Sequence, residues 1–90
     1  MLQIELVPDL SSCIETVARK EYQKTINQLL ITGAEDKELQ HKAEALRLFL
    51  MTADFKKLRC ESEEQLLQGR QVKFLVFLEA DVPKHEMQIL

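Results

Sequence analysis

The residues best suited to recognise a charged ligand are five bases between positions 56 and 73, out of twelve lysines and arginines in the whole chain. They are Lys56, Lys57, Arg59, Arg70 and Lys73. Such a concentration of positive charge is typical of a site for a polyanion, for example RNA or an acidic protein tail. However, acidic residues lie between the bases, and no aromatic residue interleaves with them as a platform for stacking bases. We therefore treat polyanion binding as the alternative function rather than the leading one.

Cysteine and histidine offer little further chemistry. The chain has Cys13, Cys60, His41 and His85, and none of them belongs to the closely spaced pairs that a structural zinc site needs. Cys13 lies on an apolar stripe, which predicts a buried and inert thiol. Cys60 follows Arg59, whose charge would lower the pKa of the thiol if both side chains faced solvent. We predict no metal site and no cofactor.

The remaining candidates for catalysis are weak. Carboxylates at Asp54, Glu61, Glu63 and Glu64 could form an acid–base pair, but two of them stand in a predicted first helical turn, where solvated acids are common. Two glycines in the chain are too few for either of the glycine-rich phosphate-binding motifs. The sequence does not exclude a catalytic constellation whose residues come together only in the folded protein. The sequence does not decide whether the protein is an enzyme, but its residues favour a non-enzymatic protein.

Length and composition predict one globular domain spanning residues 1–90. The chain is 46% hydrophobic and 30% charged, with a net charge of −3, which argues against a dedicated nucleic-acid-binding protein. No apolar run approaches the ~20 residues that cross a bilayer, and the start of the chain lacks the pattern of a secretory leader. We expect a soluble cytosolic protein with two free thiols and no membrane partner.

Hydrophobic spacing predicts two long helices and one short helix. The first covers about residues 10–31, opened by a capping box at Ser12–Glu15 and closed by Gly33. The second covers about 35–59, opened by a capping signal at 32–35, with a possible kink near Thr52–Asp54, where Asp54 either continues or recaps it. Its centre, residues 46–51, is apolar around most of the axis and should be deeply buried. A third capping signal at Ser62 opens the short helix, which Gly69 closes.

Three strands complete the prediction. Residues 1–7 alternate as a strand with one wet face does, whereas residues 71–80 are apolar at both odd and even positions. Residues 81–84 are typical of a turn, and residues 85–90 form either a last strand or a tail. These elements indicate an α+β fold in the order β-α-α-α-β-β. In it, two long antiparallel helices and a short helix pack on a small, mainly antiparallel sheet of two or three strands, with the 71–80 strand in the middle.

The apolar centre of the second sheet face points to self-association. On that face of the 71–80 strand, Leu75 and Phe77 stand between Lys73 and Glu79, and the rest of the chain offers little material to cover them. Two long helices also carry more apolar surface than a sheet only ~14 Å across can cover. We therefore predict a homodimer with Leu75 and Phe77 at the interface, with twofold symmetry as the default. The leading function is a protein-interaction or adaptor module, whose partner the sequence does not identify.

Overall fold

Three helices and three strands form the part of the chain that the computed structural model describes, which is residues 3–33, 35–79 and 82–90. In chain order they are β1 Gln3–Leu6, α1 Ile14–Thr32, α2 Lys37–Thr52, α3 Phe55–Leu67, β2 Val72–Glu79 and β3 Val82–Ile89. The predicted α+β class and the order β-α-α-α-β-β are confirmed. Of the helices, α1 and α2 are the longer pair, with 19 and 16 residues, and α3 has 13.

The sheet has the predicted order, with β2 between β1 and β3 and both neighbours antiparallel to it. Leu75 of β2 stands between Glu5 of β1 and Glu86 of β3. Residues 85–89 belong to a strand rather than a tail, and that strand already begins at Val82 and ends at Ile89. The turn prediction is therefore wrong for residues 82–84. The predictions for Met1, Leu2, Ala34, Ala80 and Asp81 fall outside the described residues.

One face of the sheet packs against the helices and forms the core. Along β1 the buried side chains of this face alternate with exposed ones, and β2 contributes Val72, Phe74 and Val76. Helix α2 lies over β2 and β3, α1 packs against α2, and α3 packs against α1 and β2. Phe49 of α2 is at the centre, with its ring 5.3 Å from that of Phe55 and 5.2 Å from that of His85. The fully buried side chains of this core include Leu6, Ile14, Leu46, Phe49, Val72, Phe74 and Val76.

Helix α1 begins later than its capping signal predicts. The Oδ1 atom of Asp9 accepts hydrogen bonds from the backbone N–H groups of Ser11 and Ser12, at 2.9 and 2.7 Å. This turn holds residues 9–12 outside the helix, so Cys13 rather than Ser12 is the N-cap residue. The predicted capping box at Ser12 is therefore wrong. The end at Gly33 is confirmed, because this residue has a φ of 87° that favours glycine.

The second predicted helix is two helices. Ala53 is extended, and Asp54 starts α3 by accepting a hydrogen bond from the N–H of Lys57 at 3.2 Å, so the chain is recapped rather than kinked. Ser62, predicted to cap a separate helix, lies inside α3, where its hydroxyl donates to the carbonyl of Arg59. Helix α2 is capped by Asp36 instead of by the signal at 32–35.

At the centre of α2, a smaller part of the helix circumference is buried than the sequence predicts. Leu46 and Phe49 are fully buried, as expected, but Leu50 is only half-buried. Met51 is 69% exposed, so the prediction of burial around most of the helix is wrong there. The physical reason is that α2 is covered by the sheet and α1 on one side only, and the chain places no element against the other side among the described residues.

Candidate functional site

The sheet face that points away from the core is the main candidate interaction surface, and we call it the open sheet face. Side chains alternate along each strand, so the residues opposite the core face share one surface. From the register, these residues are Gln3, Glu5, Lys73, Leu75, Phe77, Glu79, Val82, Lys84, Glu86 and Gln88. Two apolar side chains of the central strand thus stand at the middle of a polar and charged border.

Leu75 and Phe77 differ in how much of their surface their own chain covers. Leu75 is 6% exposed although it is not part of the core cluster, and Phe77 is half-buried. Among the described residues, the hollow beside them is lined by strand residues alone, namely Gln3, Leu75, Phe77 and Glu86. The flanking side chains of β1 and β3 therefore cover Leu75, while part of the Phe77 ring still faces solvent.

The charges of the open sheet face are nearly balanced. Lys73 Nζ lies 3.5 Å from the carboxylate of Glu5, and Lys84 Nζ lies 2.9 Å from that of Glu79. Glu86 adds one further acid beside Leu75. Exposed ion pairs of this kind contribute little to the stability of the fold. Their main effect is on which partner surfaces have complementary charge and can bind to the open sheet face.

The five bases predicted as a polyanion site are spread over several surfaces. Lys73 lies on the open sheet face, on the side of the sheet opposite the helices. Lys56 and Arg59 of α3 line one hollow, whereas Lys57 lines a different one that also contacts His85. Arg70 is exposed and donates a hydrogen bond to the side-chain oxygen of Gln65. Of the five, only Lys56 and Arg59 share a concave surface in the described part of the chain.

Cys13 has an environment that the sequence did not reveal. It is half-buried at the start of α1 and shares a hollow of about 210 Å³ with Lys56 and Arg59. Its Sγ lies 3.3 Å from the hydroxyl of Thr16. Hydrogen bonding from this hydroxyl, and next from the backbone N–H groups of Thr16 and Glu15, lowers the pKa of Cys13 below its ordinary value.

The expectation of a buried, inert Cys13 followed from placing it inside the first helix. Its actual position at the N-cap could have been inferred from Asp9, which can form a turn with the serines that follow it and so delay the helix. Cys60, the other free thiol, is exposed on α3.

Two further properties concern the described residues as a whole. Within them, no group of three or more histidine, cysteine, aspartate or glutamate side chains is arranged to hold a metal ion. None of their helices combines the length and hydropathy that a membrane-spanning helix requires.

Comparison with known proteins gives one match. A protein-family model covers residues 2–87, whereas no curated protein and no solved structure matches the sequence. The match to this family does not indicate an activity, a substrate or a partner. Because the match extends over nearly the whole length, the chain belongs to this uncharacterised protein family.

Proposed function

We propose that this protein is a small, non-enzymatic, cytosolic module that forms a homodimer through its open sheet face and serves as a protein-interaction or adaptor unit. The observation that carries the proposal is the position of Phe77. It is a large aromatic side chain, half-buried, outside the core and at the centre of a face over which no described helix lies. Removing such a side chain from water is worth roughly 1.5–3 kcal/mol when burial is complete.

Charge favours a second copy of the chain as the partner of this face. The face carries Lys73 and Lys84 together with Glu5, Glu79 and Glu86, so each sign has an opposite charge to meet on an identical surface. A symmetric dimer brings the same patch of both subunits together. A face with charge of only one sign would repel its copy, and this face avoids that penalty.

The size of the face sets the expected strength of the dimer. Strands β2 and β3 have eight residues each and are ~27 Å long, β1 has four, and the three strands together are ~14 Å wide, so two copies bury no more than about 1,000 Å². That area is near the lower limit for a specific, stable interface. We therefore expect a dimer that dissociates on dilution rather than an obligate one.

Light scattering coupled to size exclusion tests the dimer. The wild-type protein should have about twice the chain mass of 10.5 kDa, and the mass should fall towards that of one chain on dilution. Phe77→Glu should give a folded monomer, because the new carboxylate would stand opposite Lys84 of its own sheet. The control is Leu30→Glu, at an exposed position on α1, which should leave the dimer intact.

Three results would contradict the proposed dimer. The first is a wild-type monomer at every concentration. The second is a Phe77→Glu variant that remains dimeric. The third is loss of the far-ultraviolet circular dichroism of that variant, which would show that its own chain needs the Phe77 ring for folding.

A second function, binding of a polyanion, is favoured by the hollow that Lys56 and Arg59 share with the start of α1. Backbone N–H groups and the helix dipole at this end of α1 attract negative charge. Single-stranded RNA is the probe, and its affinity should fall steeply as salt is raised from about 50 to 200 mM. Lys56→Glu should weaken binding strongly, and Lys57→Glu, its neighbour in a different hollow, should weaken it less. Equal effects of the two substitutions, or only weak binding, would reject this second function.

A further inference from the structure

A second concave surface lies beside β1, and we call it the edge groove. It has a volume of about 430 Å³ and is formed by β1 together with the helical hairpin of α1 and α2. The residues that line it are Gln3, Ile4, Glu5, Glu21, Gln28, Thr32, Asp36, Glu38, Leu39 and Lys42.

The edge groove follows the free edge of the sheet. Gln3, Ile4 and Glu5 are consecutive, and consecutive strand residues point to opposite faces. A hollow that touches all three must therefore run along the edge of β1 rather than over one face. Among the described residues, β1 pairs only with β2, so its other edge presents backbone N–H and C=O groups to the groove.

The lining of the groove is strongly acidic. It includes four acidic residues, Glu5, Glu21, Asp36 and Glu38, and one basic residue, Lys42. Of these acids, Glu5 is paired with Lys73, and one carboxylate oxygen of Asp36 caps α2. The ammonium group of Lys42 already lies 2.6 Å from the carboxylate of Glu21. Within the described residues, no lysine, arginine or histidine lies within ion-pairing distance of Asp36 or Glu38. The groove therefore attracts positive charge.

We propose that the edge groove binds an extended, basic segment of a partner protein, which adds to the sheet as a fourth strand beside β1. Main-chain hydrogen bonds to the free edge provide affinity, and alternate side chains of the added strand provide specificity. Lysine or arginine at alternate positions of the segment faces the helical side, where Asp36 and Glu38 lie. The intervening side chains point to the other face of the sheet.

A second copy of this chain does not fit the groove. A symmetric pairing of two β1 edges would set one acidic groove against the other, and like charges brought together cost free energy. The edge groove is in this respect the opposite of the open sheet face, whose charges are nearly balanced. The two surfaces therefore select different partners.

The test uses a short, fluorescein-labelled peptide of alternating lysine and valine, titrated with the full chain and followed by fluorescence anisotropy. Two comparison peptides separate the sources of affinity. One replaces lysine with glutamate, and it should not bind. The other keeps every side chain but carries a methyl group on each backbone nitrogen, so no residue of it can donate a hydrogen bond to a strand, and it should bind far more weakly.

Glu38 is the position to change in the protein. It is exposed, and unlike Glu5 it is not on the open sheet face, so its substitution leaves the proposed dimer alone. Glu38→Gln should lower the affinity for the lysine–valine peptide about twofold, and Glu38→Lys should lower it about fivefold. Both effects should become smaller at high salt. The matched controls are Glu64→Gln and Glu64→Lys, at an exposed position of α3 outside the groove, which should change the affinity little.

The proposal is overturned if the lysine–valine peptide does not bind, or if its N-methylated form binds equally well. Equal losses from substitutions at Glu38 and Glu64 would also overturn it, because they would show a response to net charge rather than to the groove.

Discussion

Cys13 shows how a shift of a few residues in a helix start changes the chemistry of one side chain. Inside a helix, its apolar neighbours would bury it, as the sequence pattern predicts. At the N-cap, it lies beside the Thr16 hydroxyl and the first N–H groups of α1. The sequence contained the cause, since Asp9 binds the N–H groups that an earlier helix start would have used. The strength of that turn relative to the capping box at Ser12 could not be judged from residue types alone.

The thiol of Cys13 should react as a thiolate at lower pH than an ordinary cysteine. In a Cys60→Ser background, the rate of alkylation by iodoacetamide should rise with a midpoint below the usual value of about 8.5. Thr16→Val should move this midpoint upward, because the hydroxyl of Thr16 is the largest contribution to the lowered pKa. Thr52→Val, in a different helix, is the control. A midpoint at the ordinary value in the Cys60→Ser protein would contradict the structure.

Asp9 should make stability depend on pH in the acid range. The hydroxyl of Ser11, and next the N–H groups of Ser12 and Ser11, lower the pKa of Asp9. A carboxyl with a lower pKa in the folded state stabilises the fold above its unfolded pKa of 3.8, and this contribution is lost as pH falls through the folded value. Asp9→Ala should therefore lower the thermal midpoint at pH ~7 and much less at pH ~2. An equal decrease at both pH values would mean that the ionised form has no special role.

At the scale of elements, the periodicity of apolar residues predicted which segments are helices and strands, but capping signals were poor guides to their ends. The helices begin after Cys13, Asp36 and Asp54 rather than at the Ser- or Thr-based signals. A capping sequence only permits a cap, and tertiary packing decides whether it is used. Ser62 illustrates this, because it is buried inside α3 and bonds to a carbonyl of its own helix.

The break between α2 and α3 depends on Asp54. Asp54→Ala should lower the free energy of unfolding by about 0.5–2 kcal/mol, because the N–H of Lys57 would lose its side-chain acceptor. Ser12→Ala serves as the comparison and should change stability by less than about 0.5 kcal/mol, since α1 is not capped by Ser12. Both values come from urea denaturation. If Ser12→Ala were the more damaging change, α1 would start at Ser12 after all and the cap at Asp54 would be of minor importance.

At the scale of the whole molecule, the fold class and strand order followed from the sequence because three elements had distinct patterns. Alternation in β1, the doubly apolar β2 and the long amphipathic α1 leave few other arrangements. The spread of the five bases could not be predicted, because it depends on which side of the sheet and of α3 each side chain points to. Nor did the sequence reveal the edge groove, whose lining comes from β1, α1 and α2 together.

The core is centred on Phe49, and this is testable by comparing it with its neighbour. Phe49→Ala should lower the free energy of unfolding by about 3–5 kcal/mol, a large part of the ~5–10 kcal/mol expected for a domain of this size. Leu50 is only half-buried, so Leu50→Ala should cost less, about 1–2 kcal/mol. Chemical denaturation gives both values. Equal costs would show that the two faces of α2 are packed alike.

The central claim is that two copies of the chain meet at the open sheet face, and intermolecular NOE measurement tests it most directly. Isotopically labelled and unlabelled chains are mixed, and isotope-filtered spectra report only contacts between different subunits. We expect NOEs from the ring protons of Phe77 in one subunit to side chains of the open sheet face, such as the Leu75 methyl groups, in the other. Intermolecular NOEs confined to the exposed apolar end of α1, at Leu30 and Ile31, or none at all in a sample at high concentration, would contradict the claim.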